Sequence, residues 1–154
     1  LKSGEYTWCE NLGAYGEWHY LGAFALCSQL TSITLPNRVT VIGEGTFDGC
    51  AALTDVTIPA GVTSIGTEAF SGCTSLESLT LPAGPECLVD SRVLNCTSLT
   101  SITLPASVAK TGYYLFENWT SAQTINVAFA EDKVPAGFDR DWLRGSEATV
   151  NYAN

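Results

Sequence analysis

Cys27, Cys50, Cys73 and Cys96 recur at intervals of 23 residues, and the sequence between them repeats in the same step. The units read LTSITLPNRVTVIGEGTFDGCAA from Leu30, LTDVTIPAGVTSIGTEAFSGCTS from Leu53, LESLTLPAGPECLVDSRVLNCTS from Leu76 and LTSITLPASVAKTGYYLFENWTS from Leu99. AQTINV opens a fifth at Ala122. A unit this small cannot bury its apolar residues alone, so a fixed period of this length demands coils stacked one on another around a shared core.

Each unit opens L-x-x-[ILV]-x-[LI], and in four of them a proline follows: Pro36, Pro59, Pro82 and Pro105. Ile33 and Leu35 alternate with Ser32 and Thr34, the period-2 pattern of a strand with one buried face. Proline has no N–H to give to a ladder and ends the strand. Because every unit runs the same way round, the strands must be parallel. A second apolar run follows, Val39–Ile42 in one unit and Val62–Ile65 in the next, each closed by a glycine (Gly43, Gly66). The third segment carries Phe47 and Cys50, or Phe70 and Cys73. It has room only for a short 3₁₀ or α turn with the ring pointing inward.

The period predicts a β-rich, right-handed solenoid with one parallel sheet of about five or six strands, short helical turns and terminal caps. Residues 1–29 read as an N-terminal cap with a degenerate repeat, in which Phe24 and Cys27 match Phe47 and Cys50, and Trp8, Tyr15, Trp18 and Tyr20 supply bulk to close the core. Residues 30–127 hold the repeats. Residues 128–154, where the frame fails, read as a C-terminal cap with Phe138, Trp142 and a last strand over Ala148–Tyr152. Trp119 occupies the place of the next cysteine, as a plug that ends the ladder.

The unit LTSITLP-x-x-VTSIG-x-x-AF-x-GC-x-S resembles the 23-residue leucine-rich repeat of the BspA-like, or Treponema pallidum, type. Residues 53–75 fit it almost position by position and 30–52 nearly as well. The unit at 76–98 drifts, with Pro85 and Cys87 in the places of Val62 and Ser64. The resemblance implies a secreted or surface-attached bacterial protein (some relatives occur in parasitic protists), and an adhesin-like role for some members. It names no ligand, because many proteins share the repeat.

Chemistry-bearing residues are few. Neighbouring coils lie about 4.8 Å apart, but side-by-side Cβ vectors suit a disulfide poorly, so Cys27, Cys50, Cys73 and Cys96 read as a structural column of buried thiols. Cys9 and Cys87 fall in other columns, aligned with Ser32 and Ser64. No C-x-x-C is present, and no metal or cofactor is expected. The single histidine, His19, aligns with Ile42 and Ile65 and has no nucleophile motif beside it, so no enzyme activity is expected. Glu131, Asp132, Asp139 and Asp141 lack the order of a calcium loop. Asn95-Cys96-Thr97 and Asn118-Trp119-Thr120 match the glycosylation acceptor pattern.

Net charge is −9 with only seven Lys and Arg. No basic cluster exists to displace counterions from nucleic acid, and no run approaches the ~18 apolar residues of a membrane helix. The regular exposed feature is the outward strand face: one column reads Ser32, Asp55, Ser78, Ser101 and Thr124, the other Thr34, Thr57, Thr80, Thr103 and Asn126. These residues are the expected contact with a protein or glycan on a host or neighbouring cell, made by a monomeric, extracellular or surface module. A structural spacer with no ligand is the alternative, since threonine is favoured on any exposed sheet face.

Overall fold

A computed structural model describes residues 22–81 and 96–153, together with the backbone of 87–89. Cys9, His19, Asn95 and the aromatic residues Trp8, Tyr15, Trp18 and Tyr20 lie outside the described residues, as does the side chain of Cys87.

The chain winds as a β-solenoid whose successive coils contribute short parallel strands to two faces. On the first face, β1 (Ser32–Thr34), β3 (Asp55–Thr57) and β5 (Ser78–Thr80) form one sheet. A second sheet joins β7 (Ser101–Leu104), β9 (Thr124–Val127) and β10 (Thr149–Asn151). The register follows the repeat, with Ser32 beside Asp55 beside Ser78, and Ser101 beside Thr124. The other face is a four-stranded sheet of β2 (Val41–Ile42), β4 (Ser64–Ile65), β6 (Cys87–Val89) and β8 (Val108–Thr111). The expected single sheet is therefore joined by another, built from the second apolar run of each unit. Those runs are short, yet a residue such as Ile42 or Ile65 faces the core while its neighbours hydrogen-bond coil to coil.

The two strands of a coil are linked by one recurring turn. Val39, Val62 and Val108 each donate their N–H to the carbonyl of the proline three residues earlier, at 3.0 Å in all three coils. In the unit from Leu76 the corresponding residue is Pro85, which has no N–H to donate. Pairing of the second strand slips in that unit. Ser64 pairs with Leu88 and Ile65 with Val89, one residue beyond the 23-residue frame, and the register shifts again between Cys87 and Leu88 against β8. The alignment of Cys87 with Ser64 expected from the sequence is corrected accordingly: Leu88 stands there.

The third segment takes the form of overlapping turns rather than a continuous helix. Thr46, Asp48 and Cys50 donate back three residues, to Gly43, Gly45 and Phe47, whereas Gly45, Phe47 and Gly49 donate to Thr67, Ala69 and Ser71 of the next coil. Alternate N–H groups thus close the turn and bind the neighbour, which a helix cannot do because it spends every donor internally. The arrangement takes left-handed backbone twice per coil, at Gly45, Glu68 and Tyr114 with φ of 54–57° and at Gly49, Gly72 and Asn118 with φ near 70°. Leu26 holds the second of these places at φ 61°.

Inside, Phe24, Phe47 and Phe70 stack with centroids 5.4 and 5.3 Å apart. Leu53, Leu76, Leu99, Ile65 and Ile125 are fully buried around them.

Winding does not stop at Val127. Tyr114, Leu115 and Asn118 donate to Asp141, Trp142 and Gly145, the same coil-to-coil bonds at a spacing of 27. The extra length includes a single 3₁₀ turn, Glu131–Lys133. The strand expected near the C-terminus is present as β10, paired Thr149 to Thr124 and Asn151 to Asn126. Trp119 is buried, lies edge-on 4.9 Å from Phe116, and accepts a bond from Glu147, so the coil continues past it. Phe129, Phe138 and Trp142 meet edge to face at 5.2–6.5 Å over this end of the core.

Candidate binding face

The pleat decides which side chains reach solvent. Along β3 and β5 the middle residues Val56 and Leu79 point into the core, and their neighbours Asp55, Thr57, Ser78 and Thr80 are exposed. Ser32, Thr34, Ser101 and Thr103 are exposed in the same way. Thr124 and Asn126 sit lower and are half-buried. There Asn126 donates to the carbonyl of Ile102 (3.5 Å) and accepts from the side chain of Asn151 (3.0 Å).

The strand pairs align the ten residues in two columns, but not as one unbroken lattice. Ser32, Asp55 and Ser78 with Thr34, Thr57 and Thr80 form one half; Ser101 and Thr124 with Thr103 and Asn126 form the other. No strand pairing joins β5 to β7. A cleft of about 360 Å³ opens between them. The second half also runs one strand further than the columns read from the sequence, because Thr149 and Asn151 continue them. The signal for those two residues is the alternating stretch from Ala148 to Tyr152, which predicts a strand but lies outside the 23-residue frame that would set its register.

The face is nearly free of charge: Asp55 is the one ionisable side chain among the ten residues. A surface of hydroxyls and amides on a rigid parallel sheet offers hydrogen bonds at fixed spacing without a strong field. Among the described residues, no set of three or more His, Cys, Asp or Glu side chains gathers closely enough to hold a metal ion. No helix among them is long and apolar enough to cross a membrane.

The cysteine column lies on the opposite side of the coil from solvent. Cys50, Cys73 and Cys96 are wholly buried and Cys27 partly so. Each buried thiol donates to a phenylalanine carbonyl of the preceding coil: Cys50 to Phe24 at 3.1 Å, Cys73 to Phe47 and Cys96 to Phe70 at 3.2 Å. Hydrogen bonding with the Cys73 side chain, then burial, pushes the Cys96 thiol far up, so it stays protonated. Thiols held this way are poor nucleophiles.

The BspA type leucine rich repeat region matches residues 20–135 in six copies. The chain belongs to this family. Among solved structures, a leucine-rich repeat protein of T. pallidum is similar, with a TM-score of 0.58 and 24% identity over 79% of this chain and 52% of that one. A leucine-rich repeat protein from Bacteroides ovatus is 21% identical over 84% of this chain and 51% of that one, with a TM-score of 0.43. The BspA-type chain thus spans about half the length of these structures, and the T. pallidum likeness supports the coiled fold. No curated protein matches. Leucine-rich repeats are generally protein-interaction modules and typically non-catalytic, in keeping with a face that offers contacts rather than reacting groups.

Proposed function

We propose that this BspA-type domain is a non-catalytic interaction module of a secreted or surface-attached bacterial protein, adhesin-like, binding a protein or glycan through its outer strand face. One observation carries the reading. Ser32, Thr34, Thr57, Ser78, Thr80, Ser101 and Thr103 present an exposed, almost uncharged set of hydroxyls held in register by backbone pairing. A partner meeting this face loses little side-chain entropy, because short side chains on a rigid sheet are already ordered.

Biolayer interferometry against immobilised fibronectin, fibrinogen, laminin and mucin glycans tests it, with the Thr57→Arg/Thr80→Arg variant alongside. Saturable binding that the variant loses while keeping its fold supports the adhesin reading. Absence of binding across the panel, with no effect of the substitutions on cell attachment, would move the function to a spacer that holds another domain away from the cell.

A further inference from the structure

The cleft between β5 and β7 gives the strand face depth, and its lining is selective. Serine and threonine hydroxyls stand on both walls: Ser78 and Thr80 on one strand, Ser101 and Thr103 on the other. Among its described residues Glu77 is the one that carries charge. Leu79 and Ile102 form an apolar floor, 7% and 3% exposed. The two strands are each paired on their outer side, β5 with β3 and β7 with β9, and on neither side with each other. Backbone groups along a strand edge that lacks a neighbour must find partners elsewhere.

We infer that this slot takes a lysine or, better, an arginine side chain of a protein partner. The inference rests on the strand face being the binding surface and narrows its partner from protein or glycan to protein. The chemistry of the slot selects the occupant. An anionic group is opposed by Glu77 and by the chain's net charge of −9. A sugar ring is usually held against an aromatic face, and no aromatic is among the described residues that line the slot. A metal ion needs several ligands, and one carboxylate stands among the described lining residues. A guanidinium finds Glu77 for a charge-assisted bond and hydroxyl and carbonyl oxygens as further acceptors, while its aliphatic stem lies along Leu79 and Ile102. Among the described residues that line the slot there is no lysine or arginine to compete for Glu77.

The test is a titration of the ¹⁵N-labelled protein with acetyl-Gly-Arg-Gly-amide, followed by amide shifts. Shifts should cluster at Glu77–Leu81 and Ser101–Leu104. Replacing arginine with citrulline, which keeps shape and loses charge, should weaken binding by about tenfold, and so should Glu77→Gln. Val41→Thr, exposed on the other sheet and outside the strand face, should leave the tripeptide affinity unchanged. Glu77 is exposed, so Glu77→Gln is expected to fold, and the dispersion of its own spectrum checks this. No localised shift, or equal binding of the citrulline peptide, or an unaffected Glu77→Gln protein, overturns the inference. If Thr57→Arg abolishes binding to an immobilised partner while the tripeptide never binds, the slot is wrong and the strand-face reading stands. If the tripeptide binds as expected and Thr57→Arg leaves every immobilised partner bound, the wider face is wrong and the slot stands.

Discussion

Cys73 donates its thiol hydrogen to the carbonyl oxygen of Phe47, one coil back, at 3.2 Å. The same carbonyl already accepts the N–H of Cys50 at 3.1 Å, so both of its lone pairs are used. Cys50 and Cys96 repeat the arrangement on Phe24 and Phe70. The cysteine column thereby serves the backbone: it fills a narrow space and adds a donor that points across the coil boundary. A small apolar residue would do only the first. Cys73→Ala is expected to lower stability by about 1–2 kcal/mol, from a small cavity plus the lost bond. Cys73→Val restores volume without a donor and should recover roughly half of that. Urea denaturation of the two variants separates the contributions. Equal loss in both would mean that the hydrogen bond dominates.

The protonated state of Cys96 makes stability depend on alkaline pH. Its neighbour Cys73 and its burial hold the folded thiol far above the ordinary value of 9.0, which the unfolded chain recovers. Below pH 9 both states carry the proton and the contribution is complete. Above it the unfolded state releases a proton that the folded state keeps, so folding loses about 1.4 kcal/mol per pH unit. Stability measured from pH 7 to 10.5 should fall beyond pH 9, and Cys96→Ala should remove this share of the slope. A variant with the same alkaline slope as the parent would refute the assignment.

Two glycines in equivalent places should behave differently. A methyl group on Gly66 would lie 2.7 Å from the backbone nitrogen of Glu44, whereas one on Gly43 would meet, among the described residues, nothing nearer than the Thr46 hydroxyl at 3.7 Å. Gly43 is on the early side of the stack described here, and Gly66 has that coil pressed against it. Gly66→Ala is expected to cost about 1–3 kcal/mol through a forced backbone shift. Gly43→Ala should be neutral or slightly stabilising, because alanine restricts the unfolded chain. Thermal melts of the pair provide the comparison.

These contrasts show where the sequence was readable. A 23-residue period transmits register directly, since equivalent residues must stack. Ser32, Asp55 and Ser78 could therefore be placed side by side before any coordinates, and so could the Phe24–Phe47–Phe70 stack. The second sheet was less visible because its strands are two to four residues long, too short for alternation to declare itself. The slip at Leu88 falls in the one unit whose turn position is a proline, Pro85, a local departure that the repeat frame averages away. The coil beyond Val127 escaped notice for a similar reason: its spacing of 27 breaks the period, although the backbone bonds from Tyr114 and Asn118 persist. The cleft was not legible at all, because Ser78 and Ser101 remain 23 residues apart whether or not their strands are paired.

Gln123 shows how one polar side chain can replace a repeat feature. Earlier coils have Thr31, Thr54, Glu77 and Thr100 at this position, and Thr54 reaches across to the carbonyl of Thr31 with its hydroxyl at 3.2 Å. Gln123 is instead buried, at 5% exposure. Its side-chain nitrogen donates to the carbonyl of Leu99 at 2.8 Å, and its side-chain oxygen accepts the N–H of Thr120 at 2.9 Å. The amide thus joins two coils and caps the turn that leads into β9. Gln123→Leu keeps the bulk and removes both bonds, leaving a backbone donor and an acceptor to compete for water in a closed site, at a cost of about 2–4 kcal/mol. Gln123→Glu keeps the acceptor for Thr120 but, when ionised, sets a carboxylate against the Leu99 carbonyl. Its deficit should shrink as pH falls and the carboxyl acquires a proton to donate. Denaturation of both variants at pH 7 and pH 4.5, each referred to the parent at the same pH, decides the matter. A pH-independent deficit in Gln123→Glu would show that the Leu99 bond contributes little.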